Sequence, residues 1–424
     1  MKKTWFDQHF GQFKWIGWAV CIIAASFYCY EYALRIIPSI ISLQLRIHYG
    51  NLSLSAFGWL ASLYYWMYTP MQAVVGVSTD RYGPRHVLIF AIILCFVGSY
   101  LFGATHSIYI AGFGRLLTGI GSAFAFVGAL KLAAIWLPKK YFPIFSGIIM
   151  SIGMLAAIIG DYAMTWLSIH WGWLNLLYIT SVFGIILTVI FILFVHEKNV
   201  PQTRHKKSTS LGFMYKNFWR LLHTPKYIII GLIGCFLYIS LSGFADMWGI
   251  PFLKTIYPNE ALRVASVNST VYWGWFFGAP LISLIASKYN QRISPLRYGS
   301  LFAAIIFSII LLFPHLPIVL MGILLFIFGV CCSSENLCFV IARDYESLRF
   351  AATAMGVVNL IIMISGIVLQ PLIAHIVDWV WSGQIIHGLR IYTLNDYRFA
   401  LLIVPFFLVV AFFMSFFVHD EVSN

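Results

Sequence analysis

Charge is what this chain of 424 residues has least of: Asp, Glu, Lys and Arg together make up 10% of it. An ordinary soluble domain carries about 25%. Acid is especially scarce, with 14 Asp and Glu against 27 Lys and Arg. Residues of the set AVILMFWYC make up 61%, and the mean hydropathy is +0.87. So little polar side chain cannot coat a globule of this size, which excludes a soluble enzyme and a disordered chain. Seven cysteines, nearly all within apolar runs and with no CxxC spacing, exclude a disulfide scaffold and a thiolate metal site. The twelve histidines are scattered, mostly in loops or at run ends, and no GxSxG or P-loop occurs. A membrane-embedded enzyme, a cofactor and a metal are therefore not expected. No filter-like repeat points to a channel. The net charge of +13 does not mark a nucleic-acid binder, because the basic residues lie between apolar runs rather than on one soluble face.

What remains is a multi-span membrane protein. Apolar runs lie near 15–41, 54–76, 87–104, 108–137, 142–167, 172–195, 227–253, 264–286, 297–314, 317–341, 352–377 and 399–418, twelve in all. Each is about the length needed to cross a bilayer as a helix. The basic opening MKKTWFDQHFGQFK runs into the first of them without an A-x-A cleavage site, so an uncleaved first span is expected. With both termini inside, 19 of the 27 basic residues fall on the inner side, five on the outer side and three within spans. That bias sets the orientation. Both termini are expected in the cytoplasm.

The longest polar stretch divides the chain into an N-terminal bundle (1–195), a basic linker (196–226) and a C-terminal bundle (227–424). Within the linker, LGFMYKNFWRLL has the pattern of a basic amphipathic helix lying on the inner leaflet. The halves repeat: residues 62–85 match 269–292 at an offset of 207, with Tyr65 on Tyr272, Trp66 on Trp273, Arg81 on Lys288 and Arg85 on Arg292. Duplicated halves with a solute between them near the midplane are a transporter architecture.

Between the second and third runs stands Gly76-Val-Ser-Thr-Asp80-Arg81-Tyr-Gly83-Pro-Arg85. It resembles the GxxxDRxGxR signature of the major facilitator superfamily. The resemblance implies an all-α integral membrane protein of major facilitator fold, with twelve transmembrane helices in two pseudo-symmetric six-helix bundles. It also implies a gating role for Gly76, Asp80, Arg81, Gly83 and Arg85. The second copy has Ser287 for Asp80 and Asn290 for Gly83, so only the first can act as a charged latch. The fourth run contains Arg115-Leu-Leu-Thr-Gly-Ile-Gly, similar to the superfamily's RxxxGxG element, and an intramembrane arginine is expected to face a cavity or a partner. The fifth run lacks the Gly-Pro element that is characteristic of drug and sugar antiporters.

In the first run Tyr28, Glu31, Tyr32 and Arg35 share one stripe, with opposite charges at i and i+4. They are candidates for binding solute, together with Tyr65, Arg115, Tyr238, Ser242 and Asn359. Glu31 and Glu335 are candidates for carrying protons. Asp161 and Asp246 are expected near the outer rim, where solvent satisfies them.

The phrases YCYEYALRIIPSI, QAVVGVSTDRYGPR, LLTGIGSAFAFVGALKLAAIWLP and NLIIMISGIVLQPLIAHIVDW resemble the phagosomal nutrient transporters of intracellular gamma-proteobacteria. These in turn are similar to lysosomal dipeptide uniporters. The resemblance implies an alternating-access transporter for amino acids or short peptides in the bacterial inner membrane, working as a monomer among lipids. A carrier of small organic anions is the alternative, since Arg35 and Arg115 can clamp an anion. A non-transporting nutrient sensor is a third reading.

Overall fold

A computed structural model describes residues 14–137, 141–196, 211–346 and 351–418. The first half contributes helices α1 (Lys14–Ile40), α2 (Leu54–Tyr82), α3 (Pro84–Ala104), α4 (Ile108–Trp136), α5 (Phe142–Trp171) and α6 (Trp173–Phe194). The second contributes α7 (Pro225–Ile256), α8 (Ala261–Lys288), α9 (Ile293–Leu312), α10 (Ile318–Asp344), α11 (Ala351–Trp379) and α12 (Leu394–Phe417). Eleven of these are long and apolar enough to cross a membrane. The other, α2, is 29 residues long. Its hydropathy is diluted by Tyr64, Tyr65 and Tyr68, all of which are buried. The expected helix in the linker is present as Leu211–Leu222, while the basic stretch 197–210 lies outside the described residues.

Local chemistry sets the breaks. Ser53 caps α2 by accepting the Ala56 N–H at 3.2 Å, and Thr393 and Asp396 form a reciprocal capping box at the start of α12. Gly83, at φ 79°, turns the chain between α2 and α3, and Pro84 follows at the first helical position. Helix α7 is interrupted by a π-helical stretch, Ser240–Trp248, and α10 by a 3-10 turn at Ser333–Glu335. Nothing in the sequence pattern announced either irregularity. Wide π turns are rare and are frequently found at functional sites.

Lipid provides no hydrophobic drive between helices, so close packing must hold them together. The RxxxGxG element supplies it. A β-carbon on Gly119 would stand 2.1 Å from the Tyr64 carbonyl oxygen, so α4 meets α2 backbone to backbone. Large apolar side chains such as Ile186, Leu193, Phe302, Val319 and Phe413 remain exposed on the outside, as a lipid-facing surface requires.

The two six-helix halves meet along α2 with α11 and α5 with α8. At the end of the bundle away from the termini, a short helix (Ser42–His48) and a hairpin (Ile385–Ile386 paired with Leu389–Arg390) cover the seam.

Candidate functional site

The site is built where α1, α2, α7, α8 and α11 converge between the halves. Glu31 and Arg35 lie one turn apart on α1, both buried. Glu31 Oε1 accepts from Arg35 Nε at 3.0 Å and Nη2 at 2.5 Å, and also from the Tyr64 hydroxyl. Arg35 Nη1 donates across the seam to the Tyr238 hydroxyl at 3.3 Å. Its guanidinium stands 4.5 Å from the Tyr32 ring centroid, 5.6 Å from Tyr64 and 5.2 Å from Tyr68. These are cation–π distances. Tyr64 and Tyr68, one turn apart on α2, stack at 5.5 Å. The arginine is thus held by one carboxylate, one phenol and three ring faces.

A second centre lies on the π-helical stretch of α7. Asp246 accepts from Tyr65 at 3.0 Å and from Tyr272 at 2.7 Å. Tyr65 and Tyr272 are equivalent positions of the internal repeat, so the pseudo-twofold brings matching tyrosines from the two halves onto one carboxylate. The Tyr65 ring rests on α11 at Gly366, where a β-carbon would lie 2.3 Å from it.

Asp246 is not at a solvated rim: it is 2% exposed, and Asp161 is 0% exposed. The short helix, the hairpin and the closed seam shut water out. Asp161 of α5 accepts instead from Asn268 of α8 at 2.7 Å, another link between the halves.

The remaining candidates fall in several places. Tyr28 meets Tyr32 edge-on at 5.4 Å and sits beside the central cluster. Arg115 stands one layer behind it: its guanidinium is 5.0 Å from the Tyr64 ring centroid and donates to the carbonyls of Leu34 and Ala61. It faces a small space lined by Leu34, Ile37, Ser99, Phe102, Thr118 and Leu177 inside the N-terminal half, not the seam. Of the cavity or partner expected of it, the structure supplies partners: it ties α4 to α1 and α2. Ser242 donates to Ser365 of α11 at 2.8 Å, within the C-terminal half. Asn359 is half-buried on α11, toward the end nearer the termini. Glu335 is buried among α7, α8 and α9, away from Glu31. Sequence reasoning passed over Tyr64, Tyr68 and Tyr272 and placed Asp246 outside the site. The dense YYWMY run and the repeat partner of Tyr65 were the available signals.

Helix packing of this kind is shared with known proteins. The Major Facilitator Superfamily profile matches residues 16–370. The chain belongs to the Major Facilitator Superfamily. Among curated relatives, a 153-residue match at 25% identity is to the "Probable galactarate/D-glucarate transporter GarP" of Escherichia coli (strain K12), covering 35% of this chain and 34% of that protein. A 259-residue match at 23% identity is to the "Putative transporter AraJ" of the same organism, covering 60% of this chain and 61% of that one. The chain thus matches about a third of the first relative's length and three fifths of the second's. Among solved structures, a bacterial homolog of the human lysosomal transporter Spinster, inward-facing and unoccupied, superposes with TM-score 0.79 at 16% identity, covering 95% of this chain and 97% of that one. The nucleoside transporter NupG superposes with TM-score 0.73 at 15% identity, covering 96% and 99%.

In this superfamily member the signature loop is laid out as follows. Arg85 donates to the Ile192 carbonyl of α6 at 2.9 Å, and Arg81 is exposed beside the Tyr82 ring. The side chains of Gly76 and Asp80 lie outside those described.

The opposite end of the seam is clasped. Asp378 of α11 accepts from the Ser55 N–H of α2 at 2.7 Å and from the Tyr392 hydroxyl, with Arg390 at 3.6 Å. Tyr392 also accepts from the Leu54 N–H at 3.2 Å. Arg46 donates to the Leu52 and Arg390 carbonyls and stacks on Tyr392. Lys254 of α7 donates to the Ile40 carbonyl of α1 at 3.3 Å. Burial, reinforced by the bond to Asp378, pushes the Tyr392 phenol up to about 12, and burial lowers the Arg46 guanidinium.

Proposed function

We propose that this chain is an alternating-access secondary transporter that moves a small zwitterionic organic solute, an amino acid or short peptide, across the bacterial inner membrane. The observation that carries the reading is the Glu31–Arg35 pair, two opposite charges one turn apart, buried at the seam and bonded across it to Tyr238. A solute with one ammonium and one carboxylate exchanges with such a pair without leaving a buried charge unpaired. Tyrosine ring faces around the pair suit an organic ammonium. The bonds of the clasp close the end away from the termini, so in this reading solute enters from the terminal side, which the Lys/Arg bias puts in the cytoplasm.

In this reading the 196–226 stretch tethers the two bundles, and the Asp80–Arg81 loop latches the other state of the cycle. Glu31 and Glu335 are the groups able to carry a proton. The competing reading, an organic anion held by Arg35, draws on the printed names of the sugar-acid relatives. Thermal shift of the purified protein against amino acids, dipeptides, nucleosides and carboxylates separates the two, because a ligand stabilises the state it binds. The zwitterion reading expects shifts from amino acids or dipeptides. Shifts from dicarboxylic sugar acids alone would replace it with the anion reading.

A further inference from the structure

We infer that Asp246, opposite Glu31 across the seam, is the second half of a two-carboxylate clamp for the ammonium group of the solute. The inference deepens the zwitterion reading and rests on it. Three features of the cluster carry it.

The first is an unfilled valence. Among the described residues all the bonds to Glu31 converge on Oε1, which takes Arg35 and Tyr64. Its second oxygen, Oε2, is buried with no hydrogen-bond partner among them. A buried acceptor left unmatched is costly and calls for a donor.

The second is the lack of a directly bonded counter-ion. Among the described residues no lysine or arginine bonds Asp246; its two bonds come from neutral phenols. A carboxylate at this depth in a membrane normally pairs with a cation or marks a substrate path. Asp246 and Glu31 share the cluster: Tyr65, which bonds Asp246, packs edge-on at 5.1 Å against Tyr64, which bonds Glu31. A cation placed between the carboxylates supplies a donor to each, Oε2 included.

The third is position. Glu31 belongs to the N-terminal half and Asp246 to the C-terminal half, on the π-helical stretch of α7. One ammonium, with three N–H donors, can reach both carboxylates, taking the place of the Tyr272 phenol that now occupies Asp246 Oδ1. The solute's carboxylate then falls to Arg35, which already reaches across to α7 through Tyr238. The amine becomes the group that draws the halves together, and a solute lacking it forfeits that contact. The clamp therefore selects free amines over N-acylated or deaminated analogues.

The test is binding of the twenty L-amino acids and L-alanyl-L-alanine, each beside its N-acetyl form, to the purified full-length protein in detergent. For the wild type, at least one free-amine compound should bind at least tenfold more tightly than its N-acetyl form. Asp246→Asn should shrink that ratio to within threefold. Tyr272→Phe removes a phenol that competes for Asp246 and should widen the ratio at least threefold, which decides the matter even where Asp246→Asn does not fold. A wild type that binds none of these compounds overturns the zwitterion reading and the clamp with it. A wild type that favours free amines, with the ratio intact in Asp246→Asn or unchanged in Tyr272→Phe, overturns the clamp alone and leaves the zwitterion reading standing.

Discussion

Replacing Asp378 by Ala should loosen the clasp without touching the solute cluster. The carboxylate holds the Ser55 N–H of α2 at 2.7 Å from its place on α11, so this bond exists only while the two halves are together at that end. Ser55 lies in the first turn of α2, where unsatisfied N–H groups and the helix dipole both favour an anion. A hydrogen bond to a charged group contributes about 1.5–3 kcal/mol. The site is near the protein surface and water can reach the freed N–H, so the lower figure applies. At about 1.4 kcal/mol per tenfold, the clasped state should lose about tenfold in population relative to the state open on that side. Ser39 is fully buried near the same end of α1, and its hydroxyl has no partner among the described residues, so Ser39→Cys is a mild reporter. Labelling of that thiol by a membrane-impermeant maleimide, applied from the side opposite the termini, should be about tenfold faster with Asp378→Ala than without it. The same protein lacking the introduced cysteine provides the background. Equal labelling rates would refute the view that this carboxylate holds the seam closed.

Three further outcomes are expected. Gly366→Ala drives a methyl into the Tyr65 ring and should lower stability by about 1–3 kcal/mol, read as a fall in melting temperature in detergent. Arg115→Lys keeps the charge but loses the fork that serves the Leu34 and Ala61 carbonyls; it should cost about 1.5–3 kcal/mol of stability while leaving the order of solute affinities unchanged. The Tyr392 phenol titrates near 10 in an unfolded chain and about 12 here. The folded state therefore favours the protonated form, and its contribution is complete below pH 10 and fades as pH rises toward 12. Tyr392→Phe should flatten that part of a stability–pH profile.

The spans were legible because each apolar run must satisfy its own backbone bonds as a helix, and a run of that length has few alternatives. The Glu31–Arg35 pair was legible for a similar reason: residues four apart on a helix are neighbours whatever surrounds them. The grip of Tyr65 and Tyr272 on Asp246 was not, since it joins α2, α7 and α8 through packing that no local periodicity encodes. Counting residues from the end of α7 placed Asp246 at a rim, but the short helix after α1 and the hairpin before α12 close over that end. Arg115 shows a different limit. Helical spacing revealed which face of α4 it occupies but not what stands opposite, which proved to be the carbonyls of Leu34 and Ala61 and the ring of Tyr64.

The central claim is that one buried acid and one buried base on α1 together receive a zwitterion. Its most direct test is uptake of radiolabelled amino acids and L-alanyl-L-alanine into proteoliposomes containing the wild type, Glu31→Gln or Arg35→Ala, with galactarate measured in parallel. The account predicts uptake of at least one amino acid or the dipeptide by the wild type and its loss in both variants, because either change leaves the surviving charge buried and unpaired. Galactarate uptake that survives or rises in Glu31→Gln and vanishes in Arg35→Ala, with no amino acid or dipeptide uptake by the wild type, would contradict it.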